Sequence, residues 1–229
     1  MFFDPLYLLF VLPGLGLSLW ASARVKSSFK KYSKVRTARG LTGAEAAQVL
    51  LRGAGITNVK IVRSHGVLSD HYNPVSKTLA LSESVYGSDS VAAVGVATHE
   101  AGHAIQHARH YAPLWVRSAL VPTANIGSSI GYFVMMIGVF MASTNMVLVG
   151  AVLFSTVLLF QVVTLPVEFN ASNRAKALVV EYGIVTAQER KGVDAVLNAA
   201  ALTYVAAAVS TLLTLLYFLW RSGLLGGRR

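Results

Sequence analysis

His99-Glu100-Ala101-Gly102-His103 is the segment whose residue types and spacing could do chemistry. On a helix, two histidines four residues apart project from one face about one turn apart, so both imidazoles can reach a single metal ion. The glutamate between them points to the side, where it can act on a water molecule instead of on the metal. Zinc peptidases use this division of labour. At this chain's His and Glu content, roughly 0.004 such patterns would arise by chance. The flanks agree: Thr98, Ala101, Gly102, Ala104 and Ile105 are uncharged, and no proline interrupts Val91 to His107. A charge packed beside the ligands would compete for the metal or need its own partner. The bland alternative, a helix that happens to expose two histidines, does not account for Glu100.

The elements that must hold this helix are apolar to an unusual degree. Hydrophobic residues make up 54% of the 229 and charged residues only 13%, about half the usual charged share. Pro5 to Ala23, Ser118 to Val167 and Ala195 to Trp220 contain no charge. About 20 apolar residues cross the hydrocarbon layer as a helix, so the first and last blocks are one span each. The middle block is too long for one crossing and predicts a hairpin that turns at Ala142-Ser143-Thr144-Asn145. The expected spans are about 5–23, 119–141, 146–166 and 197–220. A chain this short could not wrap four such helices in polar layers, which argues against a soluble core.

Cations set the expected orientation. No Lys or Arg precedes Arg24, 13 lie between Arg24 and Arg117, 4 lie at Arg174, Lys176, Arg190 and Lys191, and 3 lie at Arg221, Arg228 and Arg229. With the first helix running outside to inside, 17 of 20 cations are cytoplasmic, as is the His-Glu-x-x-His helix. The formal charge of +10 is then explained by topology and contact with anionic lipid. Aromatics that would stack bases are missing from the basic stretch, so no nucleic-acid partner is expected. The N-terminal block lacks a positive n-region and reads as a retained anchor. With no cysteine there is no disulfide and no thiolate ligand, so a metal must be held by His and carboxylate.

One polar region, about 40–117, together with 167–196, is left to carry the chemistry within a single domain spanning 1–229. Thr42-Gly43-Ala44-Glu45 has capping-box spacing and opens a helix to about Arg52, stopped by Gly53-Ala54-Gly55. Asn58 to Arg63 and Lys77 to Leu81 alternate as short strands, separated by a turn at Asn73-Pro74. Ser88-Asp89-Ser90 offers N-caps for the His-Glu-x-x-His helix. The second strand, just ahead of that helix, is expected to be a sheet edge that is either ordinary or able to pair with an extended substrate. After the hairpin, Glu168 to Tyr182 reads as a helix emerging from the membrane. Thr186-Ala187-Gln188-Glu189 is a second capping box, opening the helix that leads into the last span.

A catalytic zinc needs three protein ligands and an open position. A histidine ten positions after His99 would complete one known arrangement, but Arg109 is there, and position 106 holds Gln106 in place of glycine. By His107 the helix has turned about 80° from His99, which suits His107 and His110 to supporting or interfacial roles. His65 and His71, on upstream loops, are weaker candidates. Glu168 is the better third ligand, because a carboxylate at the mouth of a span is costly unless paired or metal-bound. The hairpin also returns it to the side of the membrane where His99 lies. Its structural alternative is an ion pair with Arg174 or another nearby cation.

His99 to Gln106, His71-Tyr72-Asn73-Pro74 and Glu168-Phe169-Asn170-Ala171-Ser172 together resemble the YugP-like neutral zinc metallopeptidases, small bacterial integral-membrane proteins. The likeness runs from about Asp4 to Trp220. It implies a zinc-dependent endopeptidase of the bacterial inner membrane, mainly α, with four transmembrane helices and a small cytoplasmic α+β zincin-like domain. It also implies a fold similar to the wider group of membrane proteases, HtpX and CAAX-prenyl proteases among them, with two His on one helix and a Glu from a later one. That group usually carries an acid four residues after its glutamate ligand; here the position is Ser172.

The expected chemistry is amide hydrolysis, with Zn2+ held by His99, His103 and Glu168, Glu100 as general base, and peptides or membrane proteins as substrates. Tyr72, His71 and Arg174 are candidate oxyanion donors. Two rivals are an inactive membrane scaffold that retains the metal site and a metal transporter. A scaffold has no use for Glu100, and a transporter would place ionisable residues within the spans, whereas the three apolar blocks contain none of Asp, Glu, Lys, Arg or His.

Overall fold

The computed structural model describes residues 5–66 and 69–226, so Asp4, Arg228 and Arg229 lie outside the described residues. It is mainly helical with one small sheet. In chain order it comprises α1 (Pro5–Tyr32), α2 (Gly43–Gly53), β1 (Lys60–Ser64), β2 (His71–Asn73), β3 (Thr78–Ser82), α3 (Glu83–Tyr86) and α4 (Val91–Ala108). There follow α5 (Ala112–Ile126), a π-helical turn (Gly127–Gly131), α6 (Tyr132–Phe140), α7 (Thr144–Glu181) and α8 (Ala187–Arg221). The residues cluster into two compact units, Met1–Ser22 with Trp115–Pro166 and Leu202–Arg229, and Ala23–Leu114 with Val167–Ala201.

The first unit holds the apolar segments. Among the described residues, four helices are long and apolar enough to cross a membrane: Pro5–Tyr32, Ala112–Phe140, Thr144–Glu181 and Ala187–Arg221. Each extends beyond the span expected from the uncharged blocks, because helical hydrogen bonding continues into the polar flanks. The hairpin turns between Phe140 and Thr144, where Ser143 N donates to Gly138 O at 2.8 Å and Ala142 takes a positive φ of 52°. Its two arms approach closely. A Cβ on Gly131 would lie 2.6 Å from Phe154 N and one on Gly138 2.7 Å from Val147 N, so small residues let the two backbones meet. The π-turn is not visible in hydropathy; it begins and ends on glycines of this close contact.

The second unit is built around α4 and the sheet. Thr42 Oγ1 accepts from Glu45 N while Glu45 Oε2 accepts from Thr42 N, so the capping box forms and starts α2 as its spacing implies. α2 then buries Ala46, Ala47, Leu50 and Leu51, which join Val91, Val94, Ala97 and Ala101 of α4 in one core. The second capping box also forms: Thr186 N donates to Glu189 Oε2 at 2.7 Å and Glu189 N to Thr186 Oγ1 at 3.2 Å.

The sheet order is β1-β3-β2. β1 runs parallel to β3 in register Lys60↔Thr78 to Ser64↔Ser82, and β2 runs antiparallel with His71 opposite Ala80. This corrects the edge-strand expectation. The strand ahead of the site helix is β3, which is paired on both sides and buried over Leu79 to Ser82; the open edges belong to β1 and β2. The expected turn at Asn73-Pro74 forms because Asn73 Oδ1 accepts from Val75 N at 2.9 Å and Ser76 N at 3.2 Å. β2, three residues long, enters that turn and shows no alternation to read from sequence.

Candidate metal centre

α4 begins at Ser90, whose Oγ accepts from Ala93 N at 3.2 Å. Its interior is lined with small residues: Ala93, Ala97 and Ala101 are fully buried, so neighbouring elements pack close to its backbone. The tightest contact is with α7. A Cβ on Gly102 would come within 2.6 Å of Ala171 O, so only glycine permits this approach. It brings the histidines of α4 against Glu168 of α7.

The His99 and His103 rings lie 4.8 Å apart between centroids, at 82° to each other. His99 Nε2 is 3.2 Å and His103 Nε2 3.5 Å from the same oxygen, Glu168 Oε2. One ligand atom from each of the three side chains falls within 4.8 Å of the others, and among the described residues this is the group of His, Asp and Glu that could hold a metal. Glu168 is 2% exposed and His103 7%. Two imidazole nitrogens and a carboxylate oxygen are the donor set that zinc takes in His2Glu sites, with a further position left open. The residues present therefore fit zinc.

The ring nitrogens turned away from the cluster are held too. Ser172 Oγ lies 3.1 Å from His99 Nδ1. Gln106 Oε1 accepts from His103 Nδ1 at 3.0 Å, while Gln106 Nε2 donates to Val167 O at 2.7 Å and Asn170 Oδ1 at 3.1 Å. Arg174 Nε donates to the same Asn170 oxygen at 2.7 Å. Thus Ser172, at the position where the wider group carries an acid, is hydrogen-bonded to a histidine of the cluster. Gln106 was missed as a partner, although its spacing of three from His103 placed both on one helical face.

Burial would push His103 down, but hydrogen bonding to Glu168 and the charge of Glu100 more than offset this and hold it above the ordinary imidazole value. Glu100 itself is partly exposed, about 100° around α4 from His99. The other histidines lie outside the cluster. His107 Nδ1 pairs with Tyr72 Oη at 2.8 Å, and burial, then the charges of Lys77 and His110, lower its pKa. His71 Nδ1 lies 2.8 Å from Ser69 O, and His65 and His110 are exposed. Of the candidate oxyanion donors, Tyr72 is thus engaged with His107, His71 with Ser69 and Arg174 with Asn170.

Comparison with known proteins agrees with the chemistry of the donor set. The family model described as "Putative neutral zinc metallopeptidase" matches residues 7–223. The chain is 45% identical over 213 residues to the "Putative membrane protease YugP" of Bacillus subtilis (strain 168), which covers 93% of this chain and 95% of that relative. No solved structure matches. With nearly its whole length matched, the chain belongs to this family of neutral zinc metallopeptidases.

Proposed function

We propose that the protein is a zinc-dependent membrane endopeptidase. The observation that carries the reading is the convergence of His99 Nε2, at 3.2 Å, and His103 Nε2, at 3.5 Å, on one oxygen of Glu168. In this reading His99, His103 and Glu168 hold Zn2+, and the α+β unit around α4 acts as a zincin-like catalytic region. When bound, zinc supplies Lewis acidity, which polarises the scissile carbonyl and makes water a stronger acid.

The remaining steps belong to the chain's own residues. Glu100 takes a proton from the attacking water as the oxygen–carbon bond forms. It then returns that proton to the amide nitrogen as the carbon–nitrogen bond breaks, leaving a carboxylic acid and an amine. Positioned general-base catalysis of this kind contributes about 10²–10⁴-fold in rate. Ser172 and Gln106 keep the ligand rings aimed at Glu168 during the reaction.

In this reading the protein is a multi-pass protein of the bacterial inner membrane, a location supported by four helices long and apolar enough to cross it. The excess of cations between Arg24 and Arg117 supports a cytoplasmic site in this reading. Peptides and membrane proteins presented at the bilayer surface are the substrates that location supports. The test is Glu100→Gln in purified protein. Zinc content should stay at the wild-type level while cleavage of a membrane-protein digest falls at least 10²-fold. Undiminished cleavage would overturn the proposal.

A further inference from the structure

We infer that Gln106 is a positioning residue that sets the tautomer and direction of His103 before metal is captured, and that Asn170 and Arg174 hold it in that role. The inference rests on the zinc-site reading above.

The Val167 carbonyl can only accept, so the Gln106 atom 2.7 Å from it must be the NH2 group. The Arg174 guanidinium can only donate, so the Asn170 atom 2.7 Å from Nε must be the amide oxygen, which also takes the second Gln106 hydrogen at 3.1 Å. With both hydrogens of its NH2 committed, Gln106 can turn only its oxygen toward His103. The Nδ1 that lies 3.0 Å from that oxygen must carry a hydrogen. Deprotonated His103 is thereby held with its lone pair on Nε2, the nitrogen that faces Glu168.

Ser172 differs. A hydroxyl donates or accepts, so it orients His99 without choosing a tautomer. Gln106 is fully buried. Both α7 partners, Asn170 and Arg174, are four residues apart on one face, so the helix that brings Glu168 also brings the brace for His103.

The test uses full-length protein in detergent, stripped of metal, with zinc affinity read by chelator competition and site symmetry by the visible spectrum of the Co2+-loaded form. Gln106→Met keeps the length and removes every polar contact. It should weaken zinc binding about 10–100-fold and alter the Co2+ bands. Asn170→Asp preserves the acceptor for both donors and should bind zinc as wild type does, whereas Asn170→Leu should lose affinity in the same direction as Gln106→Met. Wild-type affinity in folded Gln106→Met would overturn the assignment. If that variant does not fold, equal affinity in Asn170→Asp and Asn170→Leu overturns it. Wild-type protein that binds no zinc would overturn the metal site itself, an outcome distinct from tight wild-type binding with indifferent variants.

Discussion

Gly102→Ala isolates the contact between the helix that brings the two histidines and the helix that brings Glu168. The added Cβ would lie 2.6 Å from Ala171 O and 3.2 Å from Ala171 C and Cα, all backbone atoms that no rotamer change can move. Bringing the closest contact out to 3.4 Å parts α4 and α7 locally by about 0.8 Å. Alanine has the better helix propensity by about 1 kcal/mol, but overpacking a tight core costs about 1–3 kcal/mol. The clash therefore wins, and the variant should be less stable by about 1 kcal/mol. The effect on the site is larger. Zinc–ligand distances tolerate about 0.2 Å, and a misplacement near 1 Å costs about 10²-fold in rate. Gly95→Ala is the matched control on the same helix, since its Cβ would meet Val193 Cγ1 at an ordinary 3.5 Å. That variant should keep full zinc affinity and gain up to about 1 kcal/mol. Chelator competition and thermal unfolding of the two proteins in one detergent make the comparison. If Gly102→Ala matches Gly95→Ala in both measurements, the close approach of the helices does not set the site.

Glu168→Ala should lose zinc binding by at least tenfold while far-ultraviolet circular dichroism stays that of a helical protein; retained stoichiometric zinc would remove Glu168 from the ligand set. Zinc affinity should rise with pH. His103 is held above its ordinary value, so its proton persists to higher pH and must leave before metal can bind. Without metal the same shift runs the other way. The stability supplied by protonated His103 is present below the unfolded imidazole pKa and lost as pH climbs through the higher folded value. Chelator titrations across that range check the first sign and melting of the stripped protein checks the second. Thr42→Ala removes the cap of α2 and should cost about 1 kcal/mol by thermal unfolding, with zinc affinity unchanged; a loss of metal would show that α2 shapes the site.

Much of the site could be read from residue order because its parts are local. The His-Glu-x-x-His spacing needs only helical geometry, and both capping boxes are self-contained four-residue devices. Glu168 was legible for a different reason: a lone carboxylate at the end of a long uncharged block has to be explained. The sheet was harder, since pairing is decided between distant segments. β3 became central when β1 and β2 took its two edges, and neither register is written in the alternation of Lys77 to Leu81. Gln106 was hidden by chemistry instead of distance. A polar amide near a helix end reads as a surface residue, and only its complete burial against Val167 and Asn170 shows its part in holding His103.

The two histidines precede the long apolar hairpin in the chain, and the glutamate that joins them comes just after it. During synthesis, then, both histidines are made while their third partner is still untranslated. The cluster cannot assemble until the intervening hairpin has been made and has turned back. On the zinc-peptidase reading proposed above, latency follows from the order of translation, because no complete donor set exists until the residues after the hairpin have been made.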